Sequence, residues 1–452
     1  MNAGARSGVT GGARGGVRTG APGTPAAEAS QRVLAGLQEL PGGSELIDAA
    51  AESPDDVALV GGAVRDLLLG RAPRELDVVL AEDPAALAAA LAARLGDGAT
   101  SKHHERFGTA SVRWGEGRID IARRRAESYR SPGALPDVRS GSVEEDLARR
   151  DFTVNAIAVA LAGAKRGELR AVPDALEDLA AGRLRVLHEA SFTDDPTRLL
   201  RLGRYHARLG FELEPHTAAL AAAALGDGAL ATVSGARVGA ELRLALAEAE
   251  PIAALAGLAE LGVLAGVDER IAFAEPLARA ALALAPDDAS ARGLLLALLL
   301  AAIADQGGEE AGPAIRTLLD RLEFPASERE RAIRTALATP SLLERIAGRA
   351  SPSAVNAVLA TVPLEAVALA LARAQAGIGG PADADAVAAA RRWLERSRHV
   401  RLAITGEDLL AAGVPPGPQI GARLAAALAL RLDGALEAGP EAELRAALEA
   451  PR

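Results

Sequence analysis

Two neighbouring runs decide the fold: Val57-Ala58-Leu59-Val60-Gly61-Gly62-Ala63-Val64-Arg65-Asp66-Leu67-Leu68-Leu69-Gly70, and Arg74-Glu75-Leu76-Asp77-Val78-Val79-Leu80. The first reads as a buried strand, two glycines and a short amphipathic helix. Glycines at such a junction let the backbone approach a polyphosphate, whose charge suits the free N–H groups and positive dipole end of the helix. Arg65, one turn inside, is placed to offer phosphate a bidentate fork. A tight turn carrying an Arg65–Asp66 surface pair accounts for the same letters. In the second run Glu75 and Asp77 stand at i and i+2, on one face of a strand. Two crowded acids are unfavourable unless a cation lies between them. A pair of Mg²⁺ ions suits carboxylate oxygen and keeps positions for phosphate; a solvent-facing edge strand is the alternative.

A third acid, Asp120, sits in Arg118-Ile119-Asp120-Ile121, again strand-like. If that strand lies beside the first, Asp120 joins the acids, as a metal ligand or as a proton acceptor. Three acids near a Gly-Gly loop are the requirement of two-metal nucleotidyl transfer.

The chain has 452 residues, 49% hydrophobic and 24% charged, an ordinary globular composition with length for about three domains. The absence of cysteine excludes disulfide frameworks, thiolate zinc sites and cysteine nucleophiles. The longest apolar run, Gly293–Ala304, falls short of the ~20 residues of a membrane span. With no signal-like stretch, a soluble cytoplasmic protein without a membrane partner is expected. Net charge is −10, yet residues 101–210 hold 20 Lys/Arg against 16 Asp/Glu, the remainder 30 against 44. A basic cleft is therefore compatible with the acidic total.

Residues 1–26 have the composition of a disordered tail. Helical patterns follow over 28–40 and 44–51. Strands are expected at 57–60, 76–80, 109–114 and 118–122, and helices at 83–95 and 151–161. From Asp194 onward strand signals vanish and 3.6-residue periodicity in Ala and Leu takes over. No fixed repeat is present. Aromatic residues are only 2%, leaving little with which to stack bases. His103-His104 reads as a surface loop.

With these residues in view, Gly61–Asp66 followed by Glu75-Leu76-Asp77 resembles the head of class II tRNA nucleotidyltransferases and bacterial poly(A) polymerases. Three further blocks are similar to the same family: Glu145–Ala156, with Arg149-Arg150-Asp151 inside it; Asp194–Tyr205; and 402–424. The resemblance implies an α+β fold: a polymerase-β-like head (27–190), then an all-α neck with a nucleotide-selecting helix (191–250), and an all-α RNA-binding body and tail (251–452). It implies transfer of C and/or A from CTP or ATP to the tRNA 3′ acceptor end, with Mg²⁺ as cofactor. By position, Gly61, Gly62 and Arg65 would bind the triphosphate, Glu75 and Asp77 would hold Mg²⁺, and Asp120 would complete the acids. Arg150 would reach the incoming nucleotide. Asp195 and Arg198 would read the base edge, with Arg201 and Arg204 supporting that helix or touching phosphate.

Residues 195, 198, 201 and 204 are spaced by three, so the row drifts slowly around one helix side. Its three guanidiniums repel unless anions answer them; a solvated helix with i,i+3 ion pairs is the plainer reading. Asp151 reads as the cap of a helix from Phe152, with Asn155 bracing the site.

The chain departs from the family in three places. Glu75 stands where Asp-x-Asp is usual, which motivates a catalytically silent RNA-binding protein as a rival reading. Asp194 stands where glutamate is usual. Arg130–Pro136 lacks the basic cluster of many full CCA-adding members and resembles the loops of A-adding or CC-adding specialists. No His-Asp pair marks the phosphohydrolase domain that some relatives carry.

Overall fold

The computed structural model describes residues 18–19, 25–349 and 351–450. The chain divides into two compact units at Ser234/Gly235. Most of the tail expected over 1–26 lies outside the described residues; Arg18–Thr19 form a short strand and Pro25 opens the first helix.

The first unit is built on one eight-stranded mixed sheet. Its strands are β1 (Arg18–Thr19), β2 (Ala58–Val60), β3 (Leu76–Leu80), β4 (Thr100–His104), β5 (Thr109–Trp114), β6 (Gly117–Arg123), β9 (Ile157–Ala160) and β10 (Leu169–Ala171), in the order β1-β10-β9-β2-β3-β6-β5-β4. A separate hairpin pairs β7 (Arg125–Ser128) with β8 (Asp137–Ser140). Among the described residues, only β3 and β6 run parallel within the large sheet. That pair needs a crossover, which α4 (Pro84–Leu95), β4 and β5 supply. Helices α1 (Pro25–Glu39), α2 (Gly43–Glu52) and α3 (Gly62–Leu68) complete this part.

Local chemistry explains the boundaries. Asp83 caps α4, its Oδ1 accepting from the N–H of Ala85 and Ala86 at 2.9 and 3.1 Å, with Pro84 at the first helical position. Ser142 and Glu145 form a capping box at α5 (Val143–Ala148). One face of the central strands is dry: Leu59, Leu80, Ile119 and Ile121 are fully buried.

Two sequence expectations fail here. The helix expected over 151–161 is a 3₁₀ turn, Thr153–Asn155, followed by β9. Ile157, Ala158, Val159 and Ala160 are all buried between β2 and β10, so both faces of the strand are apolar and no period of two is visible. Strands also persist past Asp194, since Glu212–Leu213 pair in parallel with Arg183–Leu184.

The first unit continues through α6 (Ala175–Ala181), α7 (Ser191–Asp194) and α8 (Thr197–Leu209). The second unit is helical throughout its described residues. Its core includes the buried runs 294–300 and 366–372, and a further cluster gathers about Trp393. No single described helix is long and apolar enough to cross a membrane.

Candidate active site

The parallel register places Asp77 of β3 directly opposite Asp120 of β6. Opposed residues share a face, so the two carboxylates point the same way. Glu75, two residues before Asp77, joins them: one carboxylate oxygen from each of the three lies within 4.8 Å of the others. Glu75 is exposed; the two aspartates are half-buried. Burial pushes the Asp77 carboxyl up to about 6; Arg150 opposes this, while Glu75 and Asp120 push it further up. Such a donor set, oxygen-only and rich in negative charge, fits a hard divalent cation.

Arg118 answers part of that charge. Its Nε donates to Asp120 Oδ1 at 3.1 Å, its Nη2 lies 2.8 Å from Asp120 Oδ2, and its Nη1 lies 3.9 Å from Glu75 Oε1. The sequence carried the signal for this: Arg118 stands two residues before Asp120 and so shares its face.

The glycine turn lies at the end of β2. Gly61 has φ +73°, a conformation that side chains rarely adopt, and its N–H donates to the Ile157 carbonyl at 3.0 Å. Arg150 approaches the turn and is held through Nη2 to Asp146 Oδ2 at 3.0 Å, while its Nε is buried with no hydrogen-bond partner. Asp146 is buried and also accepts from Arg149 and from the Arg125 N–H. Burial works against its charge, but Arg150 and Arg149 outweigh it and hold the carboxyl below its ordinary value.

Arg65 takes a different place from the phosphate-facing one expected. It is 1% exposed, donating to Asp66 and to the Asn155 side-chain oxygen, with its guanidinium carbon 5.6 Å from the Tyr205 ring centroid. It braces the turn against Asn155 and Tyr205, since no part of it is presented to solvent.

The helix expected over 195–204 is α8, starting at Thr197. Asp195 precedes it and accepts from the Thr197 N–H at 3.1 Å and from the Thr197 hydroxyl. Arg198 is buried and donates to Ser191 Oγ and to the Arg149 carbonyl, both at 2.7 Å. Arg201 lies 3.7 Å from Asp151, and the Arg204 guanidinium lies 5.1 Å from the Tyr205 ring centroid. Asp151 accepts from the Phe152 N–H and the Asn155 side-chain amide, both at 2.9 Å, and caps no helix: the 3₁₀ turn that follows has Phe152 at its N-cap position and no side-chain cap bond. Burial opposes its charge, but Arg201, Asn155 and Arg198 prevail and keep the carboxyl low.

A cavity of about 360 Å³ is lined by Asp77, Asp120, Arg118, Arg149, Arg150 and Gly61's neighbour Val60. His104 lines it too, from β4, so the segment expected to be a surface loop is a strand at the site. All five β4 residues are exposed, which erased any alternation in the sequence. A larger cavity of about 670 Å³ in the second unit is lined by Arg331, Arg334, Arg398 and Arg401 with Asp288 and Glu330; among the described residues, the group of three acids close enough to share a cation is Glu75, Asp77 and Asp120.

A mixed sheet with carboxylates on adjacent parallel strands, beside a glycine turn and an arginine, defines a nucleotidyltransferase head. Residues 57–185 match the poly(A) polymerase head domain family. The chain is 34% identical over 311 residues to the multifunctional CCA protein of Laribacter hongkongensis, covering 61% of this chain and 73% of that one. It is 43% identical over 223 residues to the A-adding tRNA nucleotidyltransferase of Halalkalibacterium halodurans, covering 48% of this chain and 52% of that relative, about half its length. The Thermotoga maritima CCA-adding enzyme, solved in complex with tRNA, superposes with a TM-score of 0.69 at 26% identity, over 92% of this chain and 98% of that one. The chain belongs to the CCA-adding family of tRNA nucleotidyltransferases.

Proposed function

We propose that the protein is a tRNA nucleotidyltransferase that adds C and A from CTP and ATP to the tRNA 3′ end. The observation that carries this is the Asp77–Asp120 register beside Gly61, in a chain of this family. The 3′-terminal hydroxyl attacks the α-phosphate in line and pyrophosphate leaves. Glu75, Asp77 and Asp120 would hold Mg²⁺, which when bound neutralises triphosphate charge and lowers the pKa of the attacking hydroxyl.

The chain's own groups do the positioning. Gly62 opens α3, whose first N–H groups lack intrahelical acceptors and face the charge of a triphosphate. Arg150 offers the buried Nε that has no partner. Asp146 fixes that guanidinium, and Arg65 with Asn155 stiffens the turn behind it. Asp195 and Arg198 stand as the base-reading pair, with Arg201 and Arg204 behind them. The proposed division is a head over 27–190, a neck over 191–250 and a body and tail over 251–452, in the cytoplasm.

A-adding specialisation is the second reading, favoured by the Halalkalibacterium halodurans relative and by the Arg130–Pro136 loop, which lacks the basic cluster. The test supplies tRNAs ending before CCA, after one C and after CC with each labelled nucleotide and Mg²⁺. Incorporation of both C and A establishes the full enzyme, and of A alone the specialist. Long A tails on unrelated RNA would identify a poly(A) polymerase instead. Absence of incorporation with RNA retained on a filter would sink both readings and leave a silent RNA binder.

A further inference from the structure

The face that carries the carboxylates does not end at β6. Register continues it outward in a straight row: Asp77 opposes Asp120, Asp120 opposes Ser111, and Ser111 opposes Lys102. A second row passes from Arg118 to Arg113 and then to Thr100. At ~4.8 Å per strand, Lys102 lies about 14 Å from Asp77 across the sheet. The charge therefore changes sign along one surface, from Asp77 on β3, Asp120 on β6 and Glu75 just before β3 to Arg113 and Lys102 on β5 and β4. Both cations are exposed, and neither forms an ion pair among the described residues. Their face opens onto the acidic cavity, because Ser111, Thr109 and His104 all line it.

The corner joining β4 to β5 adds an aromatic ring. Phe107 is 68% exposed, whereas Phe152, Phe192, Phe211 and Phe324 are buried. The Arg106 guanidinium lies 5.7 Å from its ring centroid. An exposed ring at the corner of a hairpin that carries unpaired cations along its length, continuous with a site for chemistry on a 3′ hydroxyl, is the composition of a single-strand nucleic-acid platform.

We propose that this outward face seats the single-stranded 3′ end of the acceptor RNA, with Arg113 and Lys102 on backbone phosphates and Phe107 stacked on a base. The inference rests on the transferase reading, since that reading requires an RNA strand to reach the carboxylates from one side. A free nucleotide would lie on the Gly61 and Arg150 side and would not touch these residues.

The test is equilibrium binding of a tRNA lacking its terminal A, titrated with salt, to the full-length protein and to Phe107→Ala and Lys102→Gln/Arg113→Gln. Phe107→Ala should weaken binding about five- to hundredfold, and Phe107→Trp should restore it. The double variant should lower the salt slope by about 0.7 for each phosphate it no longer neutralises. All effects should vanish on the same tRNA with its 3′ end paired into a duplex, and CTP and ATP affinity should stay unchanged. RNA affinity and slope unchanged in both variants would overturn the proposal and leave Lys102 as an edge-strand charge that blocks unwanted pairing. If the wild-type protein transfers no nucleotide while these variants still bind RNA more weakly, the platform stands and the transferase reading falls.

Discussion

Arg150 closes on Gly61 so tightly that a Cβ at Gly61 would lie 2.5 Å from Arg150 Nη1. The backbone there has φ +73° and ψ −135°, outside even the left-handed helical well. Gly61→Ala thus faces two penalties at one position, backbone strain and displacement of the guanidinium. The strain alone is on the order of 1–3 kcal/mol. The variant should lose nucleotide affinity at least tenfold, read as Kd for CTP and ATP, and unfold at lower urea. Wild-type nucleotide affinity in a folded Gly61→Ala protein would show that Arg150 does not work against this turn.

Asp77 gives a pH signature with a definite sign. Its folded-state pKa of about 6 lies above the ordinary carboxylate value, so the folded protein binds that proton more tightly than the unfolded chain does. Stability from this group is full below about pH 4 and falls as pH rises through 6. At pH 8, without divalent cations, the buried charge then costs up to about 3 kcal/mol. Asp77→Asn should melt higher than wild type at pH 8 in EDTA, with the difference closing toward pH 4, while transfer activity is lost. A lower melting temperature for Asp77→Asn at pH 8 would mean that the charge is stabilised by its neighbours after all. In the wild type, Mn²⁺ affinity should fall steeply below pH 6 as the proton competes.

How far the letters lead depends on where each element's surroundings are written. Leu76–Leu80 and Thr109–Trp114 form strands with the expected boundaries: Leu76, Val78 and Leu80 give the first an apolar face, and buried Ala110 and Val112 alternate with Ser111 and Arg113 in the second. The triad was readable as far as Glu75 and Asp77 by spacing; its third member waited on the parallel pairing of β3 with β6, a long-range fact. The segment after Asp151 misled because a strand buried on both faces has no polar side to mark its period. Arg65 misled for the opposite reason: an arginine beside a glycine turn reads as exposed, and only the arrival of Asn155 and Tyr205 from distant segments shows that it is buried. Arg118 stood two residues from Asp120, and that pairing was legible; Asp146 stood inside a quoted run, but its contact with the Arg125 N–H is set by geometry that the sequence does not spell out.

Asp146 anchors Arg150, and its removal should be felt twice. The side chain is buried and receives Arg149, Arg150 and a backbone N–H. Asp146→Asn keeps the shape but removes the charge, leaving Arg150 without its carboxylate partner and Arg149 with Glu127 alone, in a partly dry site. Breaking such a buried arrangement costs about 3–5 kcal/mol at the upper end. Because the Asp146 carboxyl lies below its ordinary value, its contribution is present at neutral pH and is lost as pH falls through the acid range. Urea unfolding at pH 7 should show the loss in full, and the difference from wild type should shrink as pH falls into the acid range. Equal nucleotide Kd for Asp146→Asn and wild type would separate Asp146 from the placing of Arg150.

Arg198 should matter for choice of base before it matters for rate. It is held by Ser191 Oγ and the Arg149 carbonyl, so its guanidinium is fixed in direction. Arg198→Ala leaves both acceptors unpaired inside the fold, at about 1–3 kcal/mol. The ratio of kcat/KM for the preferred nucleotide to that for UTP or GTP should drop by tenfold or more. A stability loss with selectivity intact would reduce Arg198 to a brace between α7 and α8.

Glu75 decides whether this site carries three ligands or two. It stands in the bend before β3, exposed, with Arg118 3.9 Å away, so its longer side chain has room to adjust where an aspartate would be fixed by the backbone. An added methylene loosens a metal site but does not abolish it when the carboxylate can still reach. Mn²⁺ titration followed by EPR, without nucleotide, reads the ligand count directly. Glu75→Ala should weaken Mn²⁺ binding more than tenfold, whereas Glu75→Asp should stay within a few-fold of wild type. If Glu75→Ala binds Mn²⁺ as wild type does, the cation rests on Asp77 and Asp120 alone. The glutamate would then serve only as a partner for Arg118.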